Sequence, residues 1–160
     1  MDHIQPLEVD DDLMEDFTQY YIDVHGCPPG AAKICAYLLF DFRRHGLGFE
    51  TLLQALKISK STLSEGLKLL EERQLIRSFA PEGCRKRLFV INPGFVIRRF
   101  DGIEKALTSE RDLLKRMLHY QKQSGYQNHP VEQRFNTLID IFDTNARVLR
   151  QGIEKLIAIR

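Results

Sequence analysis

The fold is decided by residues 49–92, FETLLQALKISKSTLSEGLKLLEERQLIRSFAPEGCRKRLFVIN, in which two amphipathic helical patterns precede two short strand-like segments. The apolar residues of the first pattern recur every three or four positions from Phe49 to Leu56, so they share one face of a short helix. Ser59 can cap a second helix over residues 60–73, because its hydroxyl accepts a bond from an unpaired N–H group of the first turn. This order predicts a helix-turn-helix.

The second helix has two different faces. Leu63, Leu67 and Leu70 repeat at i, i+4 and i+7, which places them on the buried side. The outer side carries small hydroxyls and lysines, which suit a DNA major groove because they bond phosphates and base edges. The candidate DNA-contacting residues of this helix are Lys60, Ser61, Thr62, Ser64 and Lys68.

The segment after the second helix predicts a β-hairpin. Residues 75–79 and 87–91 are rich in β-branched and aromatic side chains and flank a Pro-Glu-Gly-Cys turn. The hairpin tip carries three consecutive cations, Arg85, Lys86 and Arg87, which cannot all be buried and which suit a minor groove or a row of phosphates. The pattern therefore predicts a winged helix-turn-helix. The alternatives are a solvated cationic loop and a unit that binds protein instead of DNA.

Two segments of the sequence resemble known regulators. Residues 59–71, SKSTLSEGLKLLE, look like the recognition helix of MarR-type regulators, and residues 26–39, GCPPGAAKICAYLL, resemble the preceding segment in the GbsR-like branch. The resemblance covers about residues 13–100 and implies a dimeric transcriptional regulator whose DNA affinity answers to a small ligand. Lys57 stands at a turn position often taken by glycine, so a left-handed backbone is expected there at some energetic cost. Cys84 stands where the wing tip often carries an acidic residue.

The charge of the chain is unevenly distributed. Its 160 residues, 43% hydrophobic and 28% charged, are typical of one soluble globular domain, with a net charge of only +1. Residues 1–24 carry eight Asp and Glu side chains and no Lys or Arg, whereas residues 59–100 carry nine Lys and Arg against four Glu. This distribution is expected of a protein that binds DNA with one face, because only that face must be positive to approach the phosphates. The rest of the protein can be acidic.

The remaining segments predict further helices. The first helix begins at Asp11 or Asp12 and carries an apolar stripe. Residues 30–44 form the next helix, which is so apolar that it must lie centrally. A long helix begins between Phe95 and Phe100 and ends near Gln123. Pro130 suits the first turn of a last helix. The fold class is mainly α with a small β-hairpin wing (α+β). The predicted organisation is a flexible N-terminus (1–10), an N-terminal packing or dimer helix (11–24), a DNA-binding domain (25–94) and a helical dimerisation region (95–160).

The two C-terminal helices predict self-association. They can pack within the chain as an antiparallel pair, but they carry more apolar surface than one chain can cover, which favours a homodimer. Two recognition helices related by a twofold axis would read an inverted repeat in double-stranded DNA, with half-sites about 10 base pairs apart.

The sequence offers no recognisable chemistry for an enzyme. It contains no nucleophile with an adjacent base and no paired carboxylates, so we predict no catalytic residue and no cofactor. His25, Cys27 and Cys35 lack a zinc-type spacing, so no metal site is predicted. The three widely spaced cysteines, the absence of a visible signal peptide and the absence of a membrane-length apolar stretch favour a cytoplasmic protein with no membrane partner.

Two further sites are candidates. Cys84 lies beside Arg85, Lys86 and Arg87, whose field favours the thiolate, so it is either a redox switch or an incidental exposed thiol. Four aromatic residues could line a pocket for a cationic effector near the first helix, or could simply be core: Phe17, Tyr20, Tyr21 and Tyr37.

The leading hypothesis is a homodimeric DNA-binding transcriptional regulator, a repressor acting on an inverted-repeat operator and modulated by a small ligand. The alternative is a winged-helix protein-protein interaction module without specific DNA binding, since the acidic N-terminal segment and the near-neutral total charge are compatible with a protein partner.

Overall fold

The computed structural model describes residues 7–83, 86–126 and 128–159. It divides into two compact units, Met1–Asn92 and Pro93–Arg160. The elements of the first unit are α1 (Asp11–His25), α2 (Pro29–Leu39), β1 (Leu47–Gly48), α3 (Phe49–Leu56), α4 (Lys60–Glu72), β2 (Ile76–Phe79) and β3 (Leu88–Ile91). The second unit consists of α5 (Gly94–Gln123) and α6 (His129–Ala158). This is the predicted mainly α, winged-helix fold.

Helix α2 forms the centre of the first unit. It packs against α1, α3, α4 and β3. Seven of its eleven residues are buried, because small and aliphatic side chains occur on every side of the helix. Ala32, Ile34 and Leu38 are completely inaccessible to solvent. The prediction that this segment lies centrally is confirmed.

The end of α2 was predicted wrongly. The pattern predicted a helix to Arg44, but α2 ends at Leu39. The buried Asp41 carboxylate accepts the backbone N–H groups of His45 (3.3 Å) and Gly46 (2.8 Å), so a side-chain acceptor replaces the helical carbonyls. Gly46, with φ +82°, turns the chain toward β1.

The helix-turn-helix forms as predicted. Lys57 ends α3 with φ 52° and ψ 40°, which confirms the expected left-handed turn. Ser59 caps α4, and its hydroxyl oxygen accepts the backbone N–H of Thr62 at 3.1 Å. Leu63, Leu67 and Leu70 are at most 3% exposed, which confirms the predicted buried face of α4.

Gly66 allows α4 to approach α2 closely. A Cβ atom at position 66 would lie 2.6 Å from Cδ1 of Ile34 and 3.4 Å from the Cα of Ala31. Gly30 has the same role on the opposite helix, since a Cβ there would lie 2.5 Å from Cγ2 of Thr62. Two missing side chains therefore determine how deeply α4 is seated.

The wing is part of a three-stranded antiparallel sheet with the order β1-β3-β2. Strands β2 and β3 form the predicted hairpin, in which Ser78 pairs with Phe89 and Phe79 with Leu88. Strand β1 was not predicted, because two residues are too short to show a periodicity. It pairs Leu47 with Phe89 and so joins the base of the wing to the segment before α3.

The second unit is an antiparallel helical hairpin, as predicted for the two C-terminal helices. Ion pairs join α5 to α6 from the open end of the hairpin to the connection: Glu104 with Arg150, Arg111 with Asp143 (2.6 Å), Lys115 with Asp143 (3.6 Å) and Lys122 with Glu132 (3.5 Å). Among its described residues, only Leu118, Ile139 and Ala146 are buried. Large apolar side chains on both helices remain exposed, including Leu113, Met117, Ile141 and Val148.

We expect Gly66→Val to lower the free energy of unfolding by about 1–3 kcal/mol, because the added side chain overpacks the contact with Ile34. Gly102→Val is the matched control, since nothing lies within 4 Å of a Cβ at that helical position. We expect the control to remain within about 0.5 kcal/mol of the wild type. Urea denaturation measures both. Equal losses for the two variants would contradict the close approach of α2 and α4.

We expect Ser59→Ala to destabilise the protein by about 1 kcal/mol, because it leaves the N–H group of Thr62 without its side-chain acceptor. Ser64→Ala is the control, because Ser64 lies on the exposed face of α4 and alanine has the higher helix propensity. Amide hydrogen exchange should show faster exchange in the first turn of α4 for the Ser59 variant alone.

Candidate nucleic-acid interface

The outer face of α4 presents hydroxyls and cations to solvent. Lys60, Ser61, Ser64 and Lys68 are all exposed, and they extend along the helix from its capped N-terminus. Lys68 makes only a long contact of 3.9 Å with Glu72, and its side chain is 79% exposed. The structure therefore brings four of the five candidate residues of this helix to one accessible face.

Thr62 is placed differently from the other four candidates. It is only half-exposed, and its methyl group lies against Gly30 on α2. The Thr62 hydroxyl is hydrogen-bonded to Oγ of Ser59 at 2.7 Å. The Ser61 hydroxyl is hydrogen-bonded to the same Ser59 oxygen at 2.9 Å. Thr62 thus packs against α2 and bonds to the capping residue, whereas Ser61 is exposed at the surface of α4.

The wing contributes cations beside this face. Lys86 and Arg87 are exposed at the start of the return segment of the hairpin. Arg85 and Cys84 lie outside the described residues, so the wing-tip contact and the redox site predicted for them stay predictions. The described part of the wing retains two of the three predicted cations.

Arg87 has protein partners on two other elements. Its Nη2 donates to Oε1 of Glu71 at 2.7 Å, and its Nε donates to Oγ of Ser78 at 3.1 Å. Nη2 also bonds to Ser78, and the Ser78 hydroxyl donates to Glu71 at 2.6 Å. The guanidinium carbon lies 5.4 Å from the centre of the Phe89 ring. We refer to Glu71, Ser78 and Arg87 as the wing clamp.

An open cleft of about 900 Å³ lies between α3, α4 and the wing. Ser64 and Lys68 line it from α4, and Lys86 lines it from the wing. The contribution of α3 carries no signal in the sequence, because Thr51 and Gln54 belong to no motif. They line the same cleft. Their side chains become candidates only when α3 is seen beside the sheet.

The four aromatic residues proposed for an effector pocket do not line this cleft. Tyr37 is buried and its hydroxyl accepts the backbone N–H of Leu7 at 2.8 Å. Tyr21 is buried, and burial, together with the neighbouring Cys35, raises the pKa of its hydroxyl. Phe17 is half-buried, while Tyr20 is 39% exposed with its ring edge-on to that of Tyr21. Tyr21 and Tyr37 thus serve the core, and the pocket stays a prediction.

The two described cysteines are buried. Desolvation raises the pKa of Cys35 to about 12. Burial also raises the pKa of Cys27, against the opposing effect of Arg73, whose Nη1 lies 3.7 Å from the Cys27 sulfur. Among the described residues no group of three or more His, Cys, Asp and Glu side chains is arranged to hold a metal ion.

No described helix has the length and apolarity needed to cross a membrane.

Two solved structures are similar to this chain. One, described as a transcriptional regulator, is 18% identical, with 91% of this chain and 95% of that chain covered and a TM-score of 0.52. The other, a mutant of MepR from a multidrug-resistant S. aureus clinical isolate, is 17% identical, with coverages of 84% and 90% and a TM-score of 0.42. No protein-family model and no curated protein matches the sequence. The likeness to the first structure supports the fold that the elements show.

Proposed function

We propose that this protein is a sequence-specific DNA-binding transcriptional regulator that acts as a homodimer on an inverted-repeat operator. The observation that carries the proposal is the separation of the two faces of α4. Leu63, Leu67 and Leu70 are buried against the rest of the unit, and the lysines and serines of the helix are left exposed beside the wing. An exposed helix of this composition fits a major groove.

The residues of the interface have different roles in this proposal. Lys60, Lys68 and Lys86 neutralise phosphates, which determines affinity and its dependence on salt. Ser61 and Ser64 lie on the exposed face and bond base edges, which contributes to sequence preference. The cleft between α4 and the wing admits the DNA backbone, with Thr51 and Gln54 on its α3 side.

The fold is consistent with this role. One structure with the same fold over most of both chains is described as a transcriptional regulator. Since a fold hosts several functions, the likeness adds to the argument from α4 and does not replace it.

The second unit supports a homodimer. Its two helices bury few side chains between them, and Leu138, Ile141 and Val148 project from α6 at 39%, 47% and 61% exposure. An apolar stripe of this kind on a two-helix unit is best covered by the same stripe of a second copy. Twofold symmetry then presents two α4 helices to two half-sites.

The regulatory action we propose is repression. A dimer that occupies an operator blocks access of other proteins to the same DNA. A small effector that alters the separation of the two α4 helices would change the fit to half-sites a fixed distance apart, and so would modulate the affinity.

The first experiment is selection of the purified protein against a random duplex library at low salt. We expect enrichment of an inverted repeat, which tests sequence reading and twofold symmetry together. An enriched sequence without symmetry would exclude the dimeric mode of reading. Absence of any enrichment would exclude specific DNA binding by the free protein and would favour the protein-interaction module.

With the enriched duplex in hand, we expect Lys68→Gln and Lys86→Gln each to reduce the slope of log K against log salt by about one, because each loses one phosphate contact. Lys155→Gln, an exposed lysine on α6, should leave the slope unchanged. Ser64→Ala should instead alter the preference between sequence variants at constant slope. A uniform loss on all sequences for Ser64→Ala would contradict base contact.

We expect Ile141→Glu to convert the dimer to a monomer, because it places a carboxylate within the apolar stripe of α6. Gln151→Glu adds the same charge at an exposed position of the same helix and should remain dimeric. Sedimentation equilibrium measures both masses. An unchanged mass for Ile141→Glu would exclude this stripe as the dimer interface.

A further inference from the structure

We infer that Arg87 is a positioning residue which fixes the wing against α4 through the wing clamp, and that it is not itself a DNA contact. The inference rests on the proposed function and deepens it. It separates the two described cations of the wing into one that contacts DNA, Lys86, and one that orients the wing, Arg87.

The wing clamp connects three elements at one point. Glu71 belongs to the last turn of α4, Ser78 lies within β2, and Arg87 immediately precedes β3. The Arg87 guanidinium donates to both other members, and the Ser78 hydroxyl donates to Glu71. Each of the three side chains is therefore hydrogen-bonded to side chains on the other two segments. The position of the hairpin is thus linked to that of α4.

The covalent connection between α4 and β2 does not determine this position alone. After Arg73 the chain turns through Gln74, a non-glycine residue with φ 58°, and the backbone N–H of Leu75 bonds to the carbonyl of Leu70 at 2.9 Å. These contacts hold the base of the wing. Lys86, the next residue toward the tip, is covalently joined to Arg87, whose guanidinium bonds to Glu71 of α4.

The geometry also explains why a carboxylate lies in the cleft. Glu71 lines the cleft together with Lys68 and Lys86. An unpaired carboxylate there would repel phosphates, whereas the 2.7 Å pair with Arg87 compensates its charge. The guanidinium uses Nε and Nη2 for this pair and for Ser78, and it covers the Phe89 ring. Nε and Nη2 are thereby engaged within the protein.

The sign of the effect of Glu71→Gln tests the inference. If Arg87 contacts DNA, removal of a nearby negative charge strengthens binding to the selected duplex. If Arg87 positions the wing, the same change breaks the clamp and weakens binding. We expect a loss of about fivefold for a pair whose side chains are partly exposed. A gain in affinity for Glu71→Gln overturns the inference.

A double-mutant cycle and the salt slope supply a readout that a general loss of stability would not produce. Arg87→Gln should weaken binding to the same degree as Glu71→Gln, with no further loss in the double variant, because the two residues act as one unit. The salt slope should remain that of the wild type, unlike the slope of Lys86→Gln. Arg87→Lys should not restore affinity, since lysine keeps the charge but lacks the planar fork. A slope reduced by about one in Arg87→Gln overturns the inference.

Hydrogen exchange of the free full-length protein tests the clamp without DNA. Glu71→Gln and Arg87→Gln should each accelerate exchange in residues 76–79 and 88–91, while α5 and α6 remain as in the wild type. Unchanged exchange in both strands overturns the clamp even if the wild type binds DNA. Failure of the wild type to enrich any duplex instead defeats the proposed function, so the two failures are distinguishable.

Discussion

The rest of the first unit depends on the close contact between α2 and α4. Two glycines, Gly30 and Gly66, leave space that Thr62 and Ile34 occupy. Because interiors are packed at crystal-like density, this contact determines the rotation of α4 about its axis as well as its depth. Once Leu63 and Leu70 are buried against the core, the opposite side of the helix must face solvent. The exposed face of α4 is therefore a consequence of packing.

Both ends of α4 are then fixed by polar contacts. At the N-terminus, Ser59 accepts the N–H of Thr62. At the C-terminus, the Arg73 guanidinium donates to the carbonyl oxygens of His25 (2.9 Å) and Gly26 (3.2 Å), at the end of α1. Carbonyl groups at the C-terminus of a helix lack helical donors, and the guanidinium supplies them. Its positive charge also interacts favourably with the negative end of the α1 dipole. The packed helix is thus held against rotation and against sliding.

The sequence predicted those features of the fold that depend on local pattern. The leucine period predicts the buried face of α4, and the position of Lys57 predicts the left-handed turn that its φ of 52° confirms. The early end of α2 was missed because Asp41 acts through a side chain that a helical pattern does not weigh. The sequence predicts Thr62 as a candidate DNA contact, because residue type alone does not show which hydroxyl-bearing side chain packs against Gly30.

The partners of Arg87 could not be predicted for a related reason. Its contact with Glu71 spans 16 residues, and no period or motif links the two positions. Read along the chain, Arg85, Lys86 and Arg87 are equivalent cations. Folding removes this equivalence, because one cation next to a carboxylate and a hydroxyl forms a paired, directional contact, whereas an exposed neighbour keeps its charge for solvent or for phosphate. A near-neutral protein can present a positive surface in this way. The charge of the Glu71 carboxylate in the cleft is compensated by Arg87, which also orients the wing. The number of basic residues in this wing therefore overestimates its number of phosphate contacts. The difference is the basic residue that holds the wing against α4.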